Sequence, residues 1–295
     1  MMGVRPWAMP QRAAAVSVAA NSALILLKLV VGLATRSVSV VSEALHSLVD
    51  LAAAVIALYA VRKSAEPADD AHPYGHGKFE SMSGAAEGLL VFLAAAAILF
   101  QAGRALLLRH YLSTAVGGLI AMGLSVAVNL VLSIYLYRVA RASESLAIEA
   151  DGLHHLTDLY SCIGVFVGLA VIEIAGFKWL DPLLAIMVAG VITIAAYRLT
   201  GRSVSELLDT SLPEDERDRL TQILEAHSEL GISFHRVRAR RSGPLRHIDL
   251  HLETPPDMTV QRAHEICDHL EQDIVAALPR ARVLIHTEPL GNKTD

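Results

Sequence analysis

Residues 40–60 read VVSEALHSLVDLAAAVIALYA. The run is long and apolar enough for a membrane-spanning helix, yet Glu43, His46 and Asp50 sit near its middle. A charged side chain at the bilayer centre costs about 2.5–3.5 kcal/mol on insertion scales, so something must offset them. Residues three and four apart share one helix face. His46 and Asp50 therefore form a stripe of imidazole and carboxylate about 6 Å apart along the axis.

A second stretch repeats the pattern. Residues 149–169 read EADGLHHLTDLYSCIGVFVGL, in which His154 and Asp158 have the spacing of His46 and Asp50. One such pair is as readily a helix-packing feature as a ligand pair. Two identical pairs on different apolar segments point to a shared ion. Facing each other, His46, Asp50, His154 and Asp158 supply two nitrogens and two oxygens, a tetrahedral set that suits zinc. Glu43 and Asp151 are expected at the cytoplasmic end of the path, where water solvates them. His155 lies about 100° round the helix from His154, as a packing or supporting residue. Asn21 and Asn129 are expected to tie helices together.

The composition agrees with a membrane protein. The chain has 295 residues, 53% of them apolar, and a mean hydropathy of +0.44. The net charge of −5 gives no reason to expect nucleic acid, and two cysteines make no disulfide framework. A span needs about 20 apolar residues. Six candidates run over roughly 13–34, 38–61, 82–107, 112–136, 145–174 and 179–199. The first, flanked by Arg5 and Arg12 without a small-residue cleavage site, reads as a retained span. Arg5, Arg12, Arg62, Lys63, Lys78, Arg138, Arg141, Arg198 and Arg202 collect on one side, against Arg36, Arg104, Arg109 and Lys178 on the other. The positive-inside rule then places both termini and the loop 63–78 in the cytoplasm of a multi-pass membrane protein.

Residues 1–208 form the six-helix transmembrane domain in this reading, and 209–295 a cytoplasmic domain. PEDERDRLTQILEAHSEL reads as a helix with an acidic first turn. FHRVRARR and RHIDLHLET alternate as strands around an SGPL turn. A helix capped by Thr259 and a strand, ARVLIHTEP, follow, giving an α-β-β-α-β order. No H-E-x-x-H, Ser-His-Asp or P-loop pattern supports an enzyme or an ATP-driven pump.

The paired H-x-x-x-D motifs, the loop DDAHPYGHGKFE, the sequence LLDTSLP and the tail histidines together resemble the cation diffusion facilitator family. The likeness is to its YiiP-like bacterial zinc and divalent-metal antiporters and covers nearly the whole chain. It implies a homodimer in the lipid bilayer that exchanges cytoplasmic metal for protons, with a ferredoxin-like, metallochaperone-like tail. It implies a transport site at His46, Asp50, His154 and Asp158, with Zn2+ as substrate and as a structural ion. His46 in place of an Asp argues against cadmium; iron remains an alternative cargo. It also implies a loop site at Asp69, His72 and His76, where Gly75 and Gly77 give the backbone freedom to gather the ligands. In the tail, His235, His251, His264 and His286 match positions that bind zinc at the dimer contact. Glu288 there replaces a bridging Asp and adds one methylene. Lys78 and Asp209 match a charge pair joining the two domains. Two rivals differ in kind: a non-transporting metal-sensing scaffold, and a membrane metalloenzyme, which would need three protein ligands and an open water position.

Overall fold

The computed structural model describes residues 8–35, 38–108, 116–175, 180–228 and 232–291. The chain divides into two compact units, Met1–Val204 and Ser205–Asp295.

The first unit is built of long helices: α1 (Ala8–Thr35), α2 (Val38–Ser64), α3 (Lys78–Leu108), α4 (Val116–Ser143), α5 (Leu146–Ala175) and α6 (Leu180–Leu207), the last extending just into the second unit. Several outrun the apolar segments read from sequence, because a helix continues through polar turns that hydropathy does not count. Among the described residues, Met9–Val31 and Lys78–Arg104 are long and apolar enough to cross a membrane. The acidic groups of α2 and α5 lower the apolarity of the two helices that carry the paired motifs. Side chains such as Leu26, Val30, Leu33, Phe92, Leu93, Met187 and Val191 are exposed on the helix surfaces.

Small residues make the interior. Ala13, Ala14, Ala60, Ala140 and Ala147 join Val61, Leu132, Leu136 and Ile148 in one core that binds α1, α2, α4 and α5. Small side chains let helix backbones approach closely where lipid gives no hydrophobic drive. Two glycines let α3 and α6 approach closely. A Cβ on Gly88 would lie 2.2 Å from Thr200 Oγ1, and one on Gly84 2.7 Å from Ser203 Oγ.

The second unit has α7 (Glu214–His227), β1 (Ser233–Ser242), β2 (Leu245–Thr254), α8 (Val260–Ala277) and β3 (Ala281–Pro289). The sheet order is β1-β2-β3, with β1 antiparallel and β3 parallel to β2. The turn falls on Gly243, at φ 58, and Pro244. Thr259 caps α8 by accepting the Arg262 N–H at 3.3 Å. One sheet face, with Ile248 and Leu250, packs on Leu220, Leu224, Leu270 and Ile274 of the helices. Glu216 pins α7 to the sheet: it accepts from Arg246 Nη2 at 2.7 Å and Nε at 3.0 Å, and from Arg241. A bulge breaks β1 between His235 and Arg238, where Arg236 takes a left-handed φ of 49.

Candidate metal centres

Among the described residues, three groups of side chains able to hold a metal come together, each with one potential ligand atom per residue within 4.8 Å of the others: Asp50, His154 and Asp158; Asp69, His72 and His76; and His235, His251 and Glu288.

The first lies between α2 and α5. His154 Nε2 is 3.0 Å from Asp50 Oδ1 and 3.9 Å from Asp158 Oδ2. The i,i+4 spacing within α5 brings His154 and Asp158 together, and packing of α5 on α2 brings Asp50. Asp50 and His154 are buried and Asp158 is half-buried. With Nε2 protonated, His154 donates to Asp50, so the proton stands where a cation would bind. His46 lies in α2, but its side chain, like that of Glu43, falls outside the described residues.

A second side of α5, about 100° round from His154, is also polar. His155 has no exposed surface. Its Nδ1 is 2.9 Å from Asn129 Oδ1 of α4, and its Nε2 is 3.1 Å from Ser17 Oγ and 3.5 Å from Asn21 Nδ2 of α1. Asn129 Oδ1 only accepts, so Nδ1 carries the proton and Nε2 accepts. The two asparagines thus tie α1 and α4 to α5 through one imidazole. Asp151 departs from expectation. It is fully buried rather than solvated, because α5 is enclosed by its neighbours through this turn. Among the buried charges that sequence reading passed over are Lys28 and Glu87. Lys28 Nζ donates to Ser47 Oγ at 2.8 Å, beside His46 in the chain. The signal available for both was a lone ionisable residue inside an apolar run.

The loop group is organised by Asp69. Its Oδ1 accepts the N–H of His72 at 2.6 Å and of Ala71 at 3.0 Å. The His72 bond, joined by that of Ala71 and the nearby imidazoles, holds the Asp69 carboxyl below its usual range. His76 is buried, with Nε2 3.3 Å from Asp69 Oδ2, and its Nδ1–H donates to the Pro67 carbonyl at 3.2 Å. That bond turns the Nε2 lone pair toward Asp69 and His72, the tautomer a metal ligand needs. Gly75, at φ +87, makes the turn between the two histidines.

In the tail, register does the gathering. His235 pairs with His251, and His251 with His286, in one cross-strand row. Two residues along, on the same face, Glu253 pairs with Glu288. His235 Nε2 is 2.6 Å from Glu288 Oε1, and His251 Nδ1 is 3.5 Å away. His286 joins at the side, its ring 4.8 Å from that of His251. Desolvation opposes ionisation of Glu288, but His251, His235 and His286 outweigh it and hold its carboxyl below the usual range. His264 is not gathered into this trio. It stands exposed on α8, 3.7 Å from Asp268, and lines a cavity of ≈ 480 Å³ with Cys267 and Glu288. Asp209 is ion-paired with Arg240 at 2.8 Å, and Lys78 opens α3.

Two protein families match this chain. The cation efflux transmembrane domain covers residues 14–208, and the cytoplasmic domain of cation efflux proteins covers residues 212–290. An uncharacterised transporter of Synechocystis is 35% identical over 94% of this chain and 89% of its own. The cation-efflux pump FieF of Klebsiella pneumoniae is 34% identical, and that of Yersinia pestis 35%, each over 94% of this chain and 92% of its own.

Proposed function

This chain belongs to the cation efflux family, the cation diffusion facilitators, and from that premise we propose that it exports a divalent cation, chiefly Zn2+, from the cytoplasm in exchange for protons. The observation that carries the reading is the Asp50–His154–Asp158 trio, which two helices hold largely buried with His154 Nε2 between the two carboxyl groups. His46 completes the set as a fourth ligand. Imidazole with carboxylate suits zinc, and the same set holds ferrous iron more weakly, so iron is the second cargo.

Coupling follows from ligand chemistry. A metal binds neutral imidazole and ionised carboxylate, so loading releases protons and protons reload the empty site. All six long helices cross the inner membrane, with both termini cytoplasmic, and α2 and α5 expose the trio to either side in turn by rocking. Residues 1–208 carry the path and 209–295 form the cytoplasmic dimerisation domain, whose His235, His251, His286 and Glu288 hold a regulatory zinc. His264 joins that site when the homodimer is assembled. The loop trio captures metal weakly at the cytoplasmic mouth.

The test is flux in liposomes loaded with a pH dye. Zinc uptake should move protons outward in proportion and follow an imposed pH gradient. Zinc flux that moves no protons would refute the coupling, and faster ferrous than zinc flux would refute the cargo.

A further inference from the structure

We propose that Glu87 and Asp151 form a second cation station, an all-oxygen site that holds a partly hydrated divalent ion next to the Asp50–His154–Asp158 trio. The inference rests on the transport reading above. Glu87, on α3, has no exposed surface. The Ser83 hydroxyl donates to its Oε1 at 2.9 Å, and its Oε2 has no partner. Asp151, on α5, is equally buried; neither of its oxygens has a partner at full hydrogen-bond geometry, and its polar neighbours are the Ser17 hydroxyl and His155 Nε2, the latter 3.7 Å away. The two carboxyl groups lie within electrostatic reach of each other, and Glu87 within reach of His154.

A separate observation extends the site onto a third helix. Thr200 Oγ1 and Ser203 Oγ of α6 are also buried without partners. They press on α3 at Gly88 and Gly84, one residue after Glu87 and three before it. Buried oxygens lacking a hydrogen-bond partner thus occur on three helices, α3, α5 and α6. Buried carboxylates with so few donors are costly, and a second carboxylate nearby adds repulsion. A cation answers both. Carboxylate and hydroxyl oxygens suit a divalent ion that keeps part of its water, and hold it more loosely than imidazole does. Asp151 precedes His154 by three residues, about 4.5 Å along α5 toward its cytoplasmic start. An ion from the cytoplasm would meet this pair first, then pass to the tighter trio.

The test uses the full-length protein in liposomes carrying Glu87→Gln and Asp151→Asn together. The KM for zinc should rise about tenfold, by the scale seen when groups just beyond a metal's ligands are removed, while the maximal rate holds. The part of the Co2+ absorption spectrum that Asp158→Ala removes should persist. Glu87→Asp, which keeps the charge, should stay within about twofold of wild type. A wild-type KM in the double variant would overturn the station. So would loss of the trio's Co2+ spectrum, or a shifted pH profile at unchanged KM, since the carboxyl groups would then support the trio or carry protons. Should Asp158→Ala still transport, the transport reading itself fails, a separate outcome.

Discussion

The trio inside the helix bundle and the trio on the tail sheet use the same two chemical groups in opposite settings. Asp50 and His154 are buried among helices, and the geometry depends on how α2 packs against α5. His235, His251 and Glu288 are half-exposed on the open face of a sheet, and strand register fixes their row. A site made by packing changes when helices rock. A site made by register stays put while the sheet survives. The first arrangement suits an ion that must leave, the second an ion that stays.

The largest expected effect breaks the comparison at its buried end. Asp158→Ala should lower zinc flux by about 100-fold or more while the protein stays dimeric, since even groups beyond the ligands cost about 10–100-fold in metal affinity. Flux in proteoliposomes with size-exclusion chromatography decides it.

At the tail end, stability is the sensitive quantity. Burial opposes ionisation of Glu216, but Arg246 and Arg241 outweigh it and lower its pKa. A depressed carboxyl stabilises above its unfolded value, near 4.5, and that contribution disappears as pH falls through the lower folded value. Melting of the tail in the full-length protein should therefore be level from pH 7 to about 5 and drop below about 4.5. Glu216→Gln leaves Arg246 buried without its charge partner and should cost about 3 kcal/mol at pH 7, read from the same melts.

A smaller effect probes the back of the buried site. His155→Phe keeps the ring but removes its bonds to Asn129, Ser17 and Asn21. At about 1 kcal/mol for such a network in a membrane, zinc KM should rise about fivefold, with His155→Gln recovering part of it. The smallest effect sharpens the contrast: His251→Ala should alter flux by less than about twofold while removing the zinc-dependent rise in tail melting temperature.

How much of this was legible from the chain alone follows from what each signal depends on. The His154–Asp158 pair is local: four residues of helix put the two side chains together, so its proximity was legible in the spacing. The tail order α-β-β-α-β was equally plain, because alternation in RHIDLHLET and the cap at Thr259 are short-range features. The partner of His155 could not be read, since Asn129 and Ser17 lie on other helices and no spacing links them. Glu87 was hidden for the same reason; one acid in an apolar run does not say which helix it faces. The solvation expected for Asp151 failed because burial depends on how neighbouring helices close around it.

The bulge in β1 has a consequence for the sheet's outer rim. A three-stranded sheet leaves two borders with free backbone groups, and a flat border invites strands of other chains to add on. At Arg236 the chain kinks out of register, and further along β1 Ser211 of the same chain bridges Arg240. A molecule that needs self-association through one chosen surface is thereby kept from sticking to its own copies through the wrong one.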